Sequence, residues 1–356
     1  LRRAPVPAAS APFLRNHTQP IIKHIMASSI HCEIDLTRDG KQYGYLRLPH
    51  SVHRSAYGWI PIPIACIGNG DGPTILVMAG NHGDEYEGQI VVSRLIRELR
   101  PEQVRGRLIL LPMANFPAAM AGNRVSPIDG GNLNRSFPGD SGGTPTQMIA
   151  DYIETALMRG CRYVVDLHSG GSSLLYHGGC LLALDPGEDR RDELRTLMGH
   201  FGIPHACLLM RPNPVSSSSA ARRQGAIAFI AELGGAGMVS PQVLELAWTG
   251  VLNFLKQVGA LDPAIESPPV SSQMQFLKIE ALRHHVYADE AGIFEPLVAL
   301  GERVTEGQVV ARLHHPDTPG REPTEVHSTG AGLVLCKRVP ALTQRGDCLY
   351  QLAEPI

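Results

Sequence analysis

Residues 74–88 read TILVMAGNHGDEYEG. Ile75, Leu76, Val77 and Met78 form a short apolar run of strand-forming residues, the pattern of a buried strand. The run breaks at Gly80, and His82, Asp84, Glu85 and Glu87 follow within six residues. From Gly88 onward Ile90, Val91, Leu95 and Ile96 take up the spacing of one helix face. A cluster of metal-capable side chains thus falls where a strand ends and a helix begins, which is where open α/β sheets build their sites. His82 and Glu85 are three residues apart, on one side of a turn or a first helical turn. An imidazole nitrogen and a carboxylate so placed can grip one Zn²⁺. The chain has 15 His and 34 Asp+Glu, so such pairs also arise by chance and the other ligands must come from elsewhere.

The 356 residues are ample for a full core and suggest about two domains. Hydrophobic residues make up 43 % and charged residues 19 %, as in ordinary globular chains. A net charge of −2 gives no electrostatic case for nucleic acid or an anionic membrane. No apolar run approaches the roughly 18 residues of a membrane span. The seven Cys are scattered, odd in number and never in a CxxC pair. That favours reduced thiols and a cytoplasmic setting, and argues against a cysteine zinc site.

Residues 1–30 contain no Asp or Glu and lack the apolar core of a secretory signal. They read as a disordered extension, and Met26 offers a natural start. Cys32–Leu36, Tyr43–Leu48 and Trp59–Ile67 are candidate strands, the last placed at a sheet edge by Pro61 and Pro63. Arg107–Met113, Arg162–Leu167, Cys180–Leu184, His205–Met210 and Ala226–Leu233 read as further buried strands. Helical patterns lie between many of them, one opened by Thr144 and Pro145 as cap and first helical residue. This alternation predicts an α/β fold, a mixed and largely parallel sheet flanked by helices. An α/β domain that carries the metal-capable cluster is expected over 31–262, a linker over 263–273, and a small C-terminal β domain over 274–356. With GIFEPLVALGERVTEGQVVARL (292–313) and then a Gly-rich turn, that last segment resembles a lipoyl/biotinyl-type sandwich. Its Lys337 lies in LVLCKRVP and not at a hairpin tip, which favours a structural role over a carrier role.

Four strand ends carry matching chemistry. They hold His82 with Glu85, a long Gly- and Pro-rich loop with Arg124, Asn132, Asn134 and Arg135, then His168, then Glu232. Parallel strands bring their carboxyl ends to one edge, so these groups can converge. Zinc on His82, Glu85 and His168, one ion per chain, leaves a position for water. Glu232 would carry the water's proton to a leaving amine. Arg124 would stabilise an oxyanion, and Asn134 with Arg135 would clamp a substrate carboxylate.

GNHGDEYEG, NLNRSFPG, DLHSGG and AELGG, in this order, resemble the succinylglutamate desuccinylase/aspartoacylase family of zinc carboxypeptidase-like hydrolases. The resemblance covers about residues 50–258, and the β domain suits that family's two-domain layout. It implies the same three zinc ligands, Glu232 as general base and acid, and substrate contacts from Arg124, Asn134 and Arg135. HRSAYGWIPIP with NHGDEYEGQ is most similar to the N-acetyl-diaminobutyrate deacetylases of ectoine breakdown. One position departs from the pattern: the family often has Asp where this chain has Asn132, which can accept a hydrogen bond but supplies no charge.

The expected partner is therefore a small N-acyl amino acid, with no nucleic acid and no membrane. Deacylation of another acyl amino acid and zinc carboxypeptidase action are the alternatives among enzymes. A non-catalytic binding protein predicts a missing ligand or base, and none is missing. GDSGG around Ser141 matches GxSxG in letters but sits in a polar loop, away from any strand-to-helix elbow. Asp84 and Glu87 are open between solvent and a substrate ammonium, and Asp166 between supporting a ligand and bonding backbone. Oligomeric state is left open.

Overall fold

A computed structural model describes residues 28–184, 187–209, 213–268, 274–280 and 282–356. The N-terminal extension through residue 27, the end of the expected linker (269–273) and Met210 lie outside these. The main sheet runs in the order His31–Cys32, Gly40–Pro49, Trp59–Asn69, Gly106–Leu111, Thr74–Ala79, Tyr163–Ser169, Ile227–Leu233, Cys180–Leu184, His205–Leu209. The four strands from Gly106–Leu111 to Ile227–Leu233 are mutually parallel. Cys180–Leu184 is antiparallel to Ile227–Leu233 and parallel to His205–Leu209. The expected mixed, largely parallel sheet is thus present.

Alternation along Thr74–Ala79 builds a core on each face. Ile75, Val77 and Ala79 pack with Val91, Val92 and Leu95 of helix Tyr86–Glu98, and with helices Glu188–Phe201 and Pro241–Gln257. Leu76 and Met78 point the other way, toward Ile149, Ala150 and Ile153, with Ala220 and Ala221 of helix Ser217–Arg223 in the same core. Side chains two apart on a strand share a face. Asp166, His168 and Glu232 alternate with Val165, Leu167, Ala231 and Leu233 of the first core. They therefore face away from the helix trio.

Two expectations need adjustment. Trp59–Asn69 is interior, not an edge strand. Only its half from Ala65 to Asn69 pairs on both sides, however, and Pro61 and Pro63 lie in the half whose sole neighbour is Gly40–Pro49. A residue without an N–H is tolerated where one side of the strand is open. The strand expected at Cys32–Leu36 shrinks to His31–Cys32.

The C-terminal region contains a four-stranded antiparallel sheet, Thr324–His327, Val309–His314, Gly292–Pro296 and Leu342–Thr343. Its other strands continue the main sheet. Gln275–Lys278 adds parallel to His205–Leu209, then Cys348–Pro355 and Gly332–Arg338 follow. Gly332–Arg338 also pairs with Leu174–Tyr176, a short strand that begins six residues after His168. Lys337 lies inside that ladder, opposite Leu175 and Tyr350.

Candidate active site

The strand Thr74–Ala79 ends, and the chain turns through Gly80–Asp84 into helix Tyr86–Glu98. Glu85 is the N-cap residue of that helix, with extended backbone, and its side chain makes no capping hydrogen bond. Ser, Thr, Asp or Asn is the usual choice there, worth about 1 kcal/mol over Ala. Here the carboxylate is diverted into the site. Gln89 secures the backbone instead, its Nε2 donating to the carbonyls of Glu85 (2.9 Å) and Gly83 (3.1 Å). Gly83 admits the helix Phe116–Ala121 against this loop, since a Cβ there would lie 2.0 Å from the carbonyl carbon of Ala118.

His82, Glu85 and His168 converge, with one potential ligand atom from each lying within 4.8 Å of the others. Glu85 Oε1 is 2.6 Å from His82 Nδ1, and Oε2 is 2.8 Å from His168 Nδ1. All three side chains are buried. The far ring nitrogens are already engaged, His82 Nε2 with Asn132 Oδ1 at 3.2 Å and His168 Nε2 with Asp166 Oδ2 at 2.9 Å. Both imidazoles are thereby oriented with Nδ1 toward one point. Two nitrogens, one carboxylate and an acceptor behind each ring form a set of groups that could hold a metal ion.

The two supports differ by one charge, and the histidines respond in opposite directions. Burial lowers the His82 pKa, and the attraction of Glu85 does not overcome it. Burial also acts downward on His168, but Asp166 and Glu85 outweigh it and hold that ring well above its ordinary value. Burial would raise Glu85, yet the two histidines bring it down to about 2.

Strand register sets the fourth group. Glu232 pairs with His168 across neighbouring parallel strands, so the two side chains leave the same sheet face. Burial pushes Glu232 up to about 8; the charge on His168 opposes this and that on Glu85 adds to it. Arg124, half-exposed, reaches Glu85 Oε1 with its Nη1 at 3.5 Å. Arg135 is lowered first by burial and then by the nearby Arg124, with Glu232 acting the other way. Asn134, next to Arg135, is buried, and its Oδ1 accepts from the backbone N–H of Ser217 at 2.9 Å.

The structure decides the open roles of the flanking acids. Asp84 is only 4 % exposed, and its Oδ2 accepts from the N–H and hydroxyl of Ser172 at 2.8 and 2.7 Å. Glu87 is fully buried, and its Oε1 accepts from the N–H of Gly235 at 3.4 Å. Asp84 ties the loop that carries His82 to the loop after His168, and Glu87 ties the first turn of helix Tyr86–Glu98 to the loop after Glu232. Asp166 engages a side chain, the His168 ring, through its Oδ2. Tyr176, given no role by the sequence reading, is buried nearby, and burial and then the Glu232 charge push its phenol up.

The catalytic-domain model of the succinylglutamate desuccinylase/aspartoacylase family matches residues 71–258, and the chain belongs to this family. It is 39 % identical over 331 residues to the N-alpha-acetyl-L-2,4-diaminobutyric acid deacetylase of Halomonas elongata, covering 92 % of this chain and 96 % of that one. The product-bound structure of the ectoine utilization protein EutE (DoeB) from Ruegeria pomeroyi is 36 % identical and superposes with a TM-score of 0.87, covering 92 % of this chain and 99 % of that one. A succinylglutamate desuccinylase/aspartoacylase from Rhodobacter sphaeroides is 34 % identical with a TM-score of 0.86, covering 92 % and 100 % respectively. Among the described residues no helix is long and apolar enough to cross a membrane.

Proposed function

We propose that the chain is a zinc-dependent deacetylase that hydrolyses the amide of N-acetyl-L-2,4-diaminobutyrate to diaminobutyrate and acetate. The observation that supports this most is the placement of Glu232 beside His168 by strand register, next to the His82–Glu85–His168 donor set. The relatives named above direct the choice of substrate within the family.

His82, Glu85 and His168 would hold the ion, which when bound supplies Lewis acidity at the scissile carbonyl. Glu232 takes a proton from the attacking water and delivers it to the leaving amine nitrogen. A carboxyl raised toward neutrality suits both halves of that task, since its two protonation states lie close in free energy near working pH. Arg124, whose Nη1 reaches Glu85 Oε1, would stabilise negative charge developing on the carbonyl oxygen. Arg135 and the Nδ2 end of Asn134 receive the substrate carboxylate, the guanidinium in the bidentate manner that fits a planar anion.

The test is acetate release from Nα-acetyl-2,4-diaminobutyrate by purified protein, before and after chelation with zinc add-back, beside acetylaspartate and succinylglutamate. Fast release restored by zinc is the expected result. Zinc-restored activity on a different acyl amino acid would discard the substrate and keep the mechanism. Absence of metal-dependent release from all three would overturn the reading.

A further inference from the structure

The run Ser216–Ser219 is buried throughout, at 7, 1, 8 and 5 % exposure. Serine is mostly a surface residue, so four consecutive buried hydroxyls call for a physical reason. Ser216 and Ser219 have a local one. Ser216 caps helix Ser217–Arg223 by accepting from the N–H of Ser219, and both hydroxyls donate to the carbonyl of Asn213. Ser217 does something else: its partners lie 51 and 83 residues away in the chain.

The Ser217 hydroxyl donates to Asp166 Oδ2 at 2.7 Å. That same oxygen takes Asn81 Nδ2 at 3.0 Å and faces His168 Nε2 at 2.9 Å. Three donors on one oxygen fix the Asp166 carboxylate, and the carboxylate fixes the His168 ring. The Ser217 backbone N–H meets Asn134 Oδ1 at 2.9 Å. An N–H can only donate, so this contact settles which way round the Asn134 amide stands. Its oxygen is committed to Ser217, and its Nδ2 is left as the donor for a ligand.

We propose that Ser217 is a positioning residue which joins the two arms of the site, orienting His168 through Asp166 with its hydroxyl and Asn134 with its backbone N–H. This rests on the functional reading above, in which His168 holds the metal and Asn134 meets the substrate carboxylate. Supports of metal-ligating histidines typically change metal affinity by roughly 10- to 100-fold when lost.

The two contacts can be removed separately. Ser217→Ala deletes the hydroxyl and keeps the N–H. Ser217→Pro deletes both, at the first helical position, where proline is tolerated. The preceding Ser216, at φ −92° and ψ 160°, already has the backbone that precedes proline. Ser217→Thr keeps both groups. Zinc affinity, read by chelator competition without substrate, should fall roughly tenfold in Ser217→Ala and return in Ser217→Thr. KM for N-acetyl-diaminobutyrate in zinc-saturated enzyme should stay near wild type in Ser217→Ala and rise roughly tenfold in Ser217→Pro, the loss of one buried hydrogen bond.

Zinc affinity of Ser217→Ala equal to wild type would overturn the proposal, and this decides the matter even if the proline variant does not fold. A KM equal in folded Ser217→Pro and Ser217→Ala would overturn the Asn134 arm. Failure of the wild-type protein to bind Zn²⁺ at all would overturn the metal reading and this proposal with it. Normal wild-type binding with an unaltered Ser217→Ala would overturn this proposal alone.

Discussion

Replacing Glu232 by Gln should destroy activity and stabilise the metal-free chain above neutral pH. The carboxyl is raised from an ordinary value of 4.5 to about 8, with burial as the first cause. Between those two pH values the folded protein holds a proton that the unfolded chain has lost. Stability therefore falls as pH rises through this window. At about 1.4 kcal/mol per pH unit the full cost is about 5 kcal/mol. Partial access to solvent and local relaxation reduce it, and the glutamine must bury an amide at about 1 kcal/mol of its own. The expected net effect of Glu232→Gln relative to wild type is a gain of about 2 kcal/mol at pH 9 and a loss of about 1 kcal/mol at pH 4, where only the cost of the amide remains. Urea unfolding of chelator-treated wild type and variant at the two pH values measures this difference, and titrations common to both proteins cancel. Acetate release should fall by roughly 10²- to 10⁴-fold or more in the variant, the usual weight of a general base. Equal stabilities at pH 9 would refute the claim that burial holds this carboxyl near neutrality. Addition of zinc should shrink the difference, because a nearby cation favours the ionised carboxylate.

Two further changes test the unequal supports and the anion clamp. Asn132→Asp places a charged acceptor on His82 Nε2, now 3.2 Å from a neutral amide oxygen, and should tighten zinc binding about fivefold in chelator competition, since charge-assisted bonds are roughly twice as strong as neutral ones. Arg135→Lys keeps the charge and loses the planar fork, so KM for the acyl amino acid should rise roughly tenfold in steady-state kinetics while zinc affinity stays unchanged.

Much of the site is legible in the sequence because each key residue closes a conspicuous apolar run. His82 follows TILVMA, His168 is the last residue but one of YVVDLHS, and Glu232 the last but one of IAFIAEL. His82, Glu85 and His168, read as metal-capable groups from those strand ends, do come together in space. The support network is less visible. Asp166 reads equally well as a backbone-bonding residue inside a strand, and Ser217 is one serine in a run of four. Only the fold brings both to one oxygen. Asp84 and Glu87 look like solvated acids because nothing local shows that Ser172 and Gly235 will meet them. The continuity of the sheet past residue 274 is hidden for a related reason. Strand pairing between Gln275–Lys278 and His205–Leu209 is a long-range event with no local pattern. The proline rule misleads for Trp59–Asn69 because it concerns one missing N–H, and only half of that strand has neighbours on both sides.

The continuous sheet also bears on how the chain can be divided. A cut between residues 262 and 274 would strip Gln275–Lys278 from His205–Leu209, and Gly332–Arg338 from Leu174–Tyr176. It would also uncover an apolar cluster in which Tyr176, Cys180 and Cys207 meet Leu277, Leu335, Cys336 and Ala353. Raw strand edges beside bare apolar surface are templates for intermolecular pairing. The hydrolase portion expressed alone would thus find its missing strands in other copies of itself, and inclusion bodies rather than a smaller enzyme would be the product.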